Sequence, residues 1–280
     1  MGNMLRKERE AKEAKRDEAF TVQIFKLKKT VTMNEMITNF APITLGEMKS
    51  IKLMNRLDKK FVTTYPTLLR LLEMTKDEYM MQVVDGERNM HYDTVYFDTN
   101  GYDMFYTHQA GWMNRQKLRF RTYVSSSLQF MEIKTKNNRG RTKKKRIEVK
   151  DINITDPERI EFINQHLRYP VGTLRPVIRN HFQRLTLVNQ AKTERLTIDT
   201  NLQFHSLLTG KRTTLDDIVI IELKRDSLSH SPVLKMLNEL RIFPHGFSKY
   251  CIGMSLTDDN LRLNRMKPKL TYIKKLSEKI

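Results

Sequence analysis

The sequence predicts an α+β fold, an antiparallel β-barrel with covering helices, and three observations carry that expectation. Strand-like segments outnumber helix-like ones. Short polar links such as NNRG and NQAK join consecutive strands, which marks a meander rather than alternating strand and helix units. Most strands also place ionic side chains on one face and apolar side chains on the other. A half-solvated sheet gives that alternation too, but here Arg and Lys recur on the ionic face more consistently than on an ordinary solvent face. Closing about eight such strands would line a channel wide enough for a small ligand or an extended chain, with the helices covering the outside.

The elements follow in order. Residues 1–50 form a charged N-terminal extension or helix: the first part is rich in Glu, Lys, Arg and Ala, which favour helix but give it little to bury, and the remainder is poorly patterned. The main domain is expected over residues 51–258. LDKKFV opens it as a strand. TTYPTLLRLLEM then reads as a helix capped by Thr64, with Pro66 in the first turn and Leu68, Leu69, Leu71 and Leu72 as its apolar stripe. A second helix begins at TDPERIEFINQHL, where Thr155 and Glu158 match a capping box ahead of Ile160, Phe162, Ile163 and Leu167. A third covers SPVLKMLNEL. The segments TVYFDT, QKLRFRTYV, SLQFMEIKTK, KKKRIEV, RPVIRNHFQRLTLV, ERLTIDTNLQF, DIVIIELKRD and SKYCIGMSL read as strands. Residues 259–280 read as a basic, polar C-terminal tail or helix.

Composition narrows the partners. The 280-residue chain carries a formal charge of +19, enough to attract nucleic acid, an anionic membrane or a phosphate compound, without choosing among them. The one cysteine, Cys251, excludes an intrachain disulfide framework and a Cys-rich metal site, and fits a reducing, cytoplasmic setting. No run is apolar enough for a transmembrane helix or a secretory signal, so a soluble chain is expected, with peripheral association at the inner face of a membrane, or a membrane-protein partner, compatible with its basic surface. The histidines show no metal-ligand spacing. Aromatic and basic residues form no clear stacking register for bases, which disfavours nucleic acid.

Strand parity carries the chemistry. Arg115, Lys117, Arg119, Arg121 and Tyr123 share one face of their strand, opposite Leu118 and Phe120. On the next strand Glu132, Lys134 and Lys136 oppose Met131 and Ile133, and in KKKRIEV the pair Lys143 and Lys145 opposes Lys144 and Arg146. Later, Arg195, Thr197 and Asp199 oppose Leu196 and Ile198, while Glu222 and Lys224 oppose Ile221 and Leu223. Buried cations need counter-charge, and the carboxylates on these strands are too few. A ligand would supply the rest.

These motifs, in this order from residue 52 to residue 258, resemble the VTC domain, the polyphosphate-polymerase branch of the CYTH-like triphosphate tunnel metalloenzymes. The resemblance runs through RLDKKF (56–61), VYFDT (95–99), RQKLRFRTY, MEIKTK, KKKRI, HFQRL, ERLTIDTNL, IELK and FSKY. It implies a barrel forming a triphosphate tunnel, in which phosphate passes from ATP to a growing polyphosphate chain. Arg119, Arg121, Lys134, Arg184 and Arg195 would then be the leading phosphate-binding, catalytic residues, with Lys60, Lys117, Lys145, Lys224 and Lys249 as further substrate contacts. Guanidinium forks suit phosphate oxygens bidentately, and ammonium groups add compact charge. Mn²⁺ or Mg²⁺ would be the metal, with Glu222 as its best ligand and Glu132 as the weaker one. Where hydrolytic relatives carry Glu-x-Glu-x-Lys in the first strand, this chain has Arg56, Asp58 and Lys60, which favours the polymerase branch. An inorganic triphosphatase or polyphosphatase, and a noncatalytic polyphosphate- or nucleotide-binding module, remain the alternatives.

Overall fold

The computed structural model describes residues 33–49, 51, 56–139, 141–226 and 229–278. The charged stretch at the start of the chain lies outside the described residues. Strands are β1 (Ala41–Thr44), β2 (Arg56–Thr64), β3 (Tyr79–Val83), β4 (Met90–Thr99), β5 (Arg115–Tyr123), β6 (Leu128–Lys136), β7 (Thr142–Val149), β8 (Leu174–Asn189), β9 (Glu194–Ser206), β10 (Arg212–Leu215) and β11 (Ile218–Asp226). Helices are α1 (residues 33–38), α2 (Leu45–Lys49), α3 (Tyr65–Thr75), α4 (Asp103–Gln109), α5 (Pro157–His166), α6 (Pro232–Glu239), α7 (Lys249–Thr257) and α8 (Lys267–Ser277).

The strands form one eleven-stranded sheet whose main path runs β2-β11-β9-β8-β4-β5-β6-β7, antiparallel throughout, with β1, β3 and β10 as side branches. This corrects the expected barrel. The sheet is open, because the end strands β2 and β7 pair with β11 and β6 respectively and not with each other. Charge explains the gap: β7 presents exposed Lys143, Lys144, Lys145 and Arg146, and β2 carries Lys59 and Lys60, so joining them would set like charges side by side.

Apolar residues of the strands form two main cores. Phe61, Ile198, Ile221 and Leu223 pack with Leu68, Leu71 and Leu72 of α3 and with Val233 and Leu237 of α6. Leu118, Phe120, Met131 and Ile133 pack with Met104 and Phe105 of α4 and Phe162 and Ile163 of α5. The N-terminal approach, unpatterned in sequence, also belongs to the fold: Met33, Ile37 and Phe40 join the first of these cores, and β1 adds a parallel partner to β3.

Three local expectations change. Thr64 occupies the N-cap of α3, but its hydroxyl meets Thr67 Oγ1 at 3.0 Å and makes no cap bond. The cap of α5 is Asp156, which accepts from the N–H of Glu158, in place of Thr155. SKYCIGMSL forms the helix α7 rather than a strand. Tyr250, Cys251, Ile252, Gly253 and Met254 are all buried, so no exposed face marks its helical period.

Candidate functional site

Period-two alternation places the ionic residues of β2, β11, β9, β8, β5, β6 and β7 on one face of the sheet. Lys60 lies opposite Glu222, and Asp58 opposite Lys224. Glu222 neighbours Thr197 on its other side, and Lys224 neighbours Arg195. Arg184 lies across from Asp199. On the far limb, Arg119 lies across from Glu132, Lys117 across from Lys134, and Lys134 in turn across from Lys144. Although the sheet is open, its two limbs approach each other over this face. Lys60 of β2 donates to the Phe247 carbonyl at 3.1 Å, and Lys117 of β5 donates to Ser248 Oγ at 2.9 Å, so both limbs hold the start of α7.

The carboxylates are strongly engaged. Glu132 is wholly buried and accepts from Arg119 Nε at 2.7 Å and from Lys144 Nζ at 3.1 Å. Burial alone would raise its pKa, but Arg119, Arg121 and Lys144 outweigh that and hold it well below the carboxylate range. Asp199 accepts from Arg184 Nε and Nη2, at 2.5 and 2.8 Å, and pairs with Lys249 of α7. Its pKa is likewise held down against burial by those two cations. Glu222 pairs with Lys224; Lys60 and Lys224 hold it low against burial.

Several cations of this face pair with no carboxylate among the described residues. Arg121 is buried, pairs with no carboxylate among the described residues, and leaves Nε without a hydrogen-bond partner. It lies 5.5 Å from the Tyr92 ring centroid and 5.8 Å from that of Phe182. Burial, Arg119 and Arg184 lower its pKa. Lys134 has no ion pair among the described residues either, and its pKa is driven well below the lysine range by Arg119, burial and Arg121. Lys117 faces Ser248 and His108 rather than a carboxylate, and burial lowers it to about 7. A face that confines guanidinium and ammonium groups without counter-charge is built to receive an anion carrying several charges.

The structure therefore gathers Lys60, Lys117, Arg119, Arg121, Glu132, Lys134, Arg184, Arg195, Glu222, Lys224 and Lys249 on one face. It does not bring Lys145 there. Lys145 is cross-strand from apolar Ile133, while Lys144 takes the ionic register, the reverse of the residue singled out from the sequence. Asp199 was visible in the strand parity but was not singled out, and its role as the joint partner of Arg184 and Lys249 depends on α7 being a helix. Asp98 accepts from the N–H groups of Met104 and Phe105, each at 2.9 Å, and from Tyr250, fixing α4 against α7.

Among the described residues no group of three or more His, Cys, Asp or Glu converges as a metal cage. Glu132 has both oxygens committed to cations, so it fits a metal poorly. Glu222 is partly exposed, pairs with Lys224 and is the better donor of the two, so these residues would supply a divalent ion with at most one carboxylate.

Residues 55–257 match the model of the VTC domain. The chain belongs to the VTC domain family. The match spans the strands from β2 to β11 and ends at the last residue of α7, so the whole ionic face lies within the VTC domain. The chain matches none of the curated proteins with which it was compared. Among solved structures it is similar to a Hippeastrum protein proposed as an adenylyl cyclase and described as having a dominant triphosphatase activity, at 14% identity and a TM-score of 0.42, covering 75% of this chain and 99% of that one. It is also similar to a protein proposed as an adenylate cyclase from Vibrio parahaemolyticus (10% identity, TM-score 0.40, 72% of this chain and 99% of that one). A Pyrococcus horikoshii protein gives 11% identity and a TM-score of 0.40 over 71% of this chain and 98% of that one. Such remote likenesses bear on neither substrate nor reaction. No helix among the described residues is long and apolar enough to cross a membrane.

Proposed function

We propose that this VTC domain binds the phosphate chain of a triphosphate or of inorganic polyphosphate on its ionic face and performs phosphoanhydride chemistry there. The observation that carries the reading is the pair Arg121 and Lys134, confined on that face beside Arg119 without carboxylate partners among the described residues. Successive phosphates would replace the missing counter-charge, with Arg119, Arg184 and Arg195 as further contacts and Lys60, Lys117, Lys224 and Lys249 around them. Such a site acts by positioning and by stabilising charge on the transferring group, and it needs no protein nucleophile. Mg²⁺ or Mn²⁺ arriving with the phosphates and touched by Glu222 would neutralise charge on the phosphoryl oxygens.

The two reactions this grip can serve differ in the acceptor. In the polymerase direction, the bond between the β-phosphate oxygen and the γ-phosphorus of ATP breaks, and the terminal oxygen of a polyphosphate chain takes the γ-phosphoryl group, leaving ADP. In the hydrolytic direction water is the acceptor and orthophosphate leaves. The confined cations serve either acceptor equally, so hydrolysis of a triphosphate or polyphosphate is retained as the second reading, and the family membership supports phosphate handling in both. Product analysis separates them: the protein is incubated with ATP or tripolyphosphate and Mg²⁺ or Mn²⁺, and products are resolved by gel and phosphorus NMR. ADP with a phosphate ladder establishes the polymerase, and orthophosphate alone establishes the hydrolase. Tight binding without turnover of either substrate overturns the catalytic part of the reading.

A further inference from the structure

The loop from α4 to β5 holds the chain's one tryptophan out in water on a fixed backbone. α4 ends in a glycine-terminated turn: Gly111, at φ +76°, and Trp112 donate their N–H groups to the carbonyls of His108 and Thr107, both at 3.1 Å. An apolar residue in the place of Trp112 commonly folds back on the last turn of its helix. Trp112 does not: it is 63% exposed, and its neighbour Met113 is 40% exposed. Three arginines from separate parts of the chain hold the loop in this shape. Arg265, ahead of α8, donates to the Ala110 carbonyl at 2.7 Å, Arg115 of β5 donates to that of Trp112 at 2.5 Å, and Arg168, after α5, donates to that of Asn114. Gln109 donates to the Arg262 carbonyl at 2.8 Å. Arg168, Arg262 and Arg265 are themselves exposed, and the three segments that meet here, residues 107–117, 164–169 and 260–270, contain no Asp or Glu.

We propose that this tip, Trp112 and Met113 beside a cluster of arginines, docks on an anionic lipid bilayer. Size and charge decide the occupant. Two apolar side chains flanked by exposed Gly111 and Asn114 fall far short of the roughly 800 Å² per partner that a specific protein interface buries. A bilayer needs no such patch. Tryptophan settles at the level of the headgroups, and each Lys or Arg near an anionic surface adds about 1 kcal/mol of attraction. A guanidinium carries several N–H donors, so an arginine that holds one loop carbonyl still has donors for a headgroup phosphate. The proposal stands apart from the phosphate-binding reading and survives or fails without it.

Because Trp112 is the one tryptophan, its fluorescence reports on the tip alone. The full chain is mixed with vesicles of phosphatidylcholine, and with the same vesicles carrying added phosphatidylglycerol. The expected result is a blue shift of the emission with the anionic vesicles only, quenched by lipids brominated near the headgroup end of the acyl chains and weakened by salt. Sedimentation with the anionic vesicles then compares wild type, Trp112→Ala and Arg262→Gln, each shown to be folded by thermal unfolding. Trp112→Ala should weaken binding about tenfold, the worth of leaving one large apolar side chain out of the bilayer, and Arg262→Gln about fivefold. Emission that does not shift with anionic vesicles overturns the proposal. So does a Trp112→Ala variant that sediments like wild type, since the headgroups would then be held by other basic surfaces, the ionic face included. A shift of the same size with neutral vesicles overturns the part given to the arginines. A blue shift that grows with protein concentration in the absence of vesicles assigns the tip to a second copy of this chain and overturns the bilayer as its partner.

Discussion

Replacing Glu132 by Gln tests the charge balance of the ionic face most sharply. Glu132 is the wholly buried counter-ion of Arg119 and also accepts from Lys144. The two cations respond differently to its loss. Lys144 has a side chain 41% exposed and can turn to water, so its pair contributes little. Arg119, at 7% exposure, cannot; it keeps only the Tyr96 hydroxyl at 3.5 Å and whichever oxygen the glutamine presents. Leaving a buried ion without its partner costs about 3–5 kcal/mol. At roughly 2–4 °C per kcal/mol for a domain of this size, the ligand-free variant should melt about 10 °C below wild type. A phosphate chain would restore the missing charge, so the variant should also bind it more tightly. Ligand at a hundredfold excess over the wild-type Kd adds about 2.7 kcal/mol to wild type, and more at that same concentration to a variant that binds better. Thermal unfolding followed by circular dichroism, with and without tripolyphosphate, reads both effects. A ligand-free variant as stable as wild type, or a ligand-induced shift no larger than that of wild type, would refute the reasoning.

Two further outcomes follow from the same geometry. Burial lowers the Lys117 pKa to about 7 and the Lys249 pKa to about 8, below the ordinary lysine value of about 10.4, so the ligand-free fold disfavours both ammonium groups and gains stability as pH rises from about 7 towards 10. A bound polyanion favours the ammonium forms; its affinity should therefore decline from about pH 7 to pH 9, with net proton uptake on binding, and calorimetry in buffers of different ionisation enthalpy would show constant affinity or proton release if this is wrong. Gly253→Ala would place a Cβ 2.5 Å from Phe204 Cδ1 and 2.7 Å from Ile178 Cδ1. Overpacking of this kind costs about 1–3 kcal/mol, and because α7 carries Lys249 to Asp199, melting temperature and tripolyphosphate affinity should fall together; an unchanged melting temperature would contradict the packing of α7.

The strands that form the ionic face were legible because each alternates charged and apolar residues with period two, as in Arg119 against Phe120 or Glu222 against Leu223. Parity alone could not show whether the sheet closes, since closure depends on what the end strands offer each other, and β7 and β2 offer lysines. It also could not place KKKR, where a run of like residues has no alternation to read; register against Ile133 and Lys134 decides that Lys144 faces inward and Lys145 outward. The helix α7 was hidden because it is buried on nearly every side, and with it went the link from Lys249 to Asp199 and from Lys117 to Ser248. β1 was missed for a different reason: four residues in a parallel side branch carry too short a pattern.

The central claim is that the confined cations of the ionic face, and not the general basicity of the chain, bind a phosphate chain. Calorimetric titration of tripolyphosphate into wild type, Arg121→Ala, Lys134→Ala and Lys145→Ala tests it directly, because all three variants lose one positive charge but only two lose it from that face. The account predicts that Arg121→Ala and Lys134→Ala each weaken binding by about tenfold or more, the worth of a charge-assisted hydrogen bond, while Lys145→Ala stays close to wild type. Equal losses in all three variants, or no loss in Arg121→Ala, would contradict it.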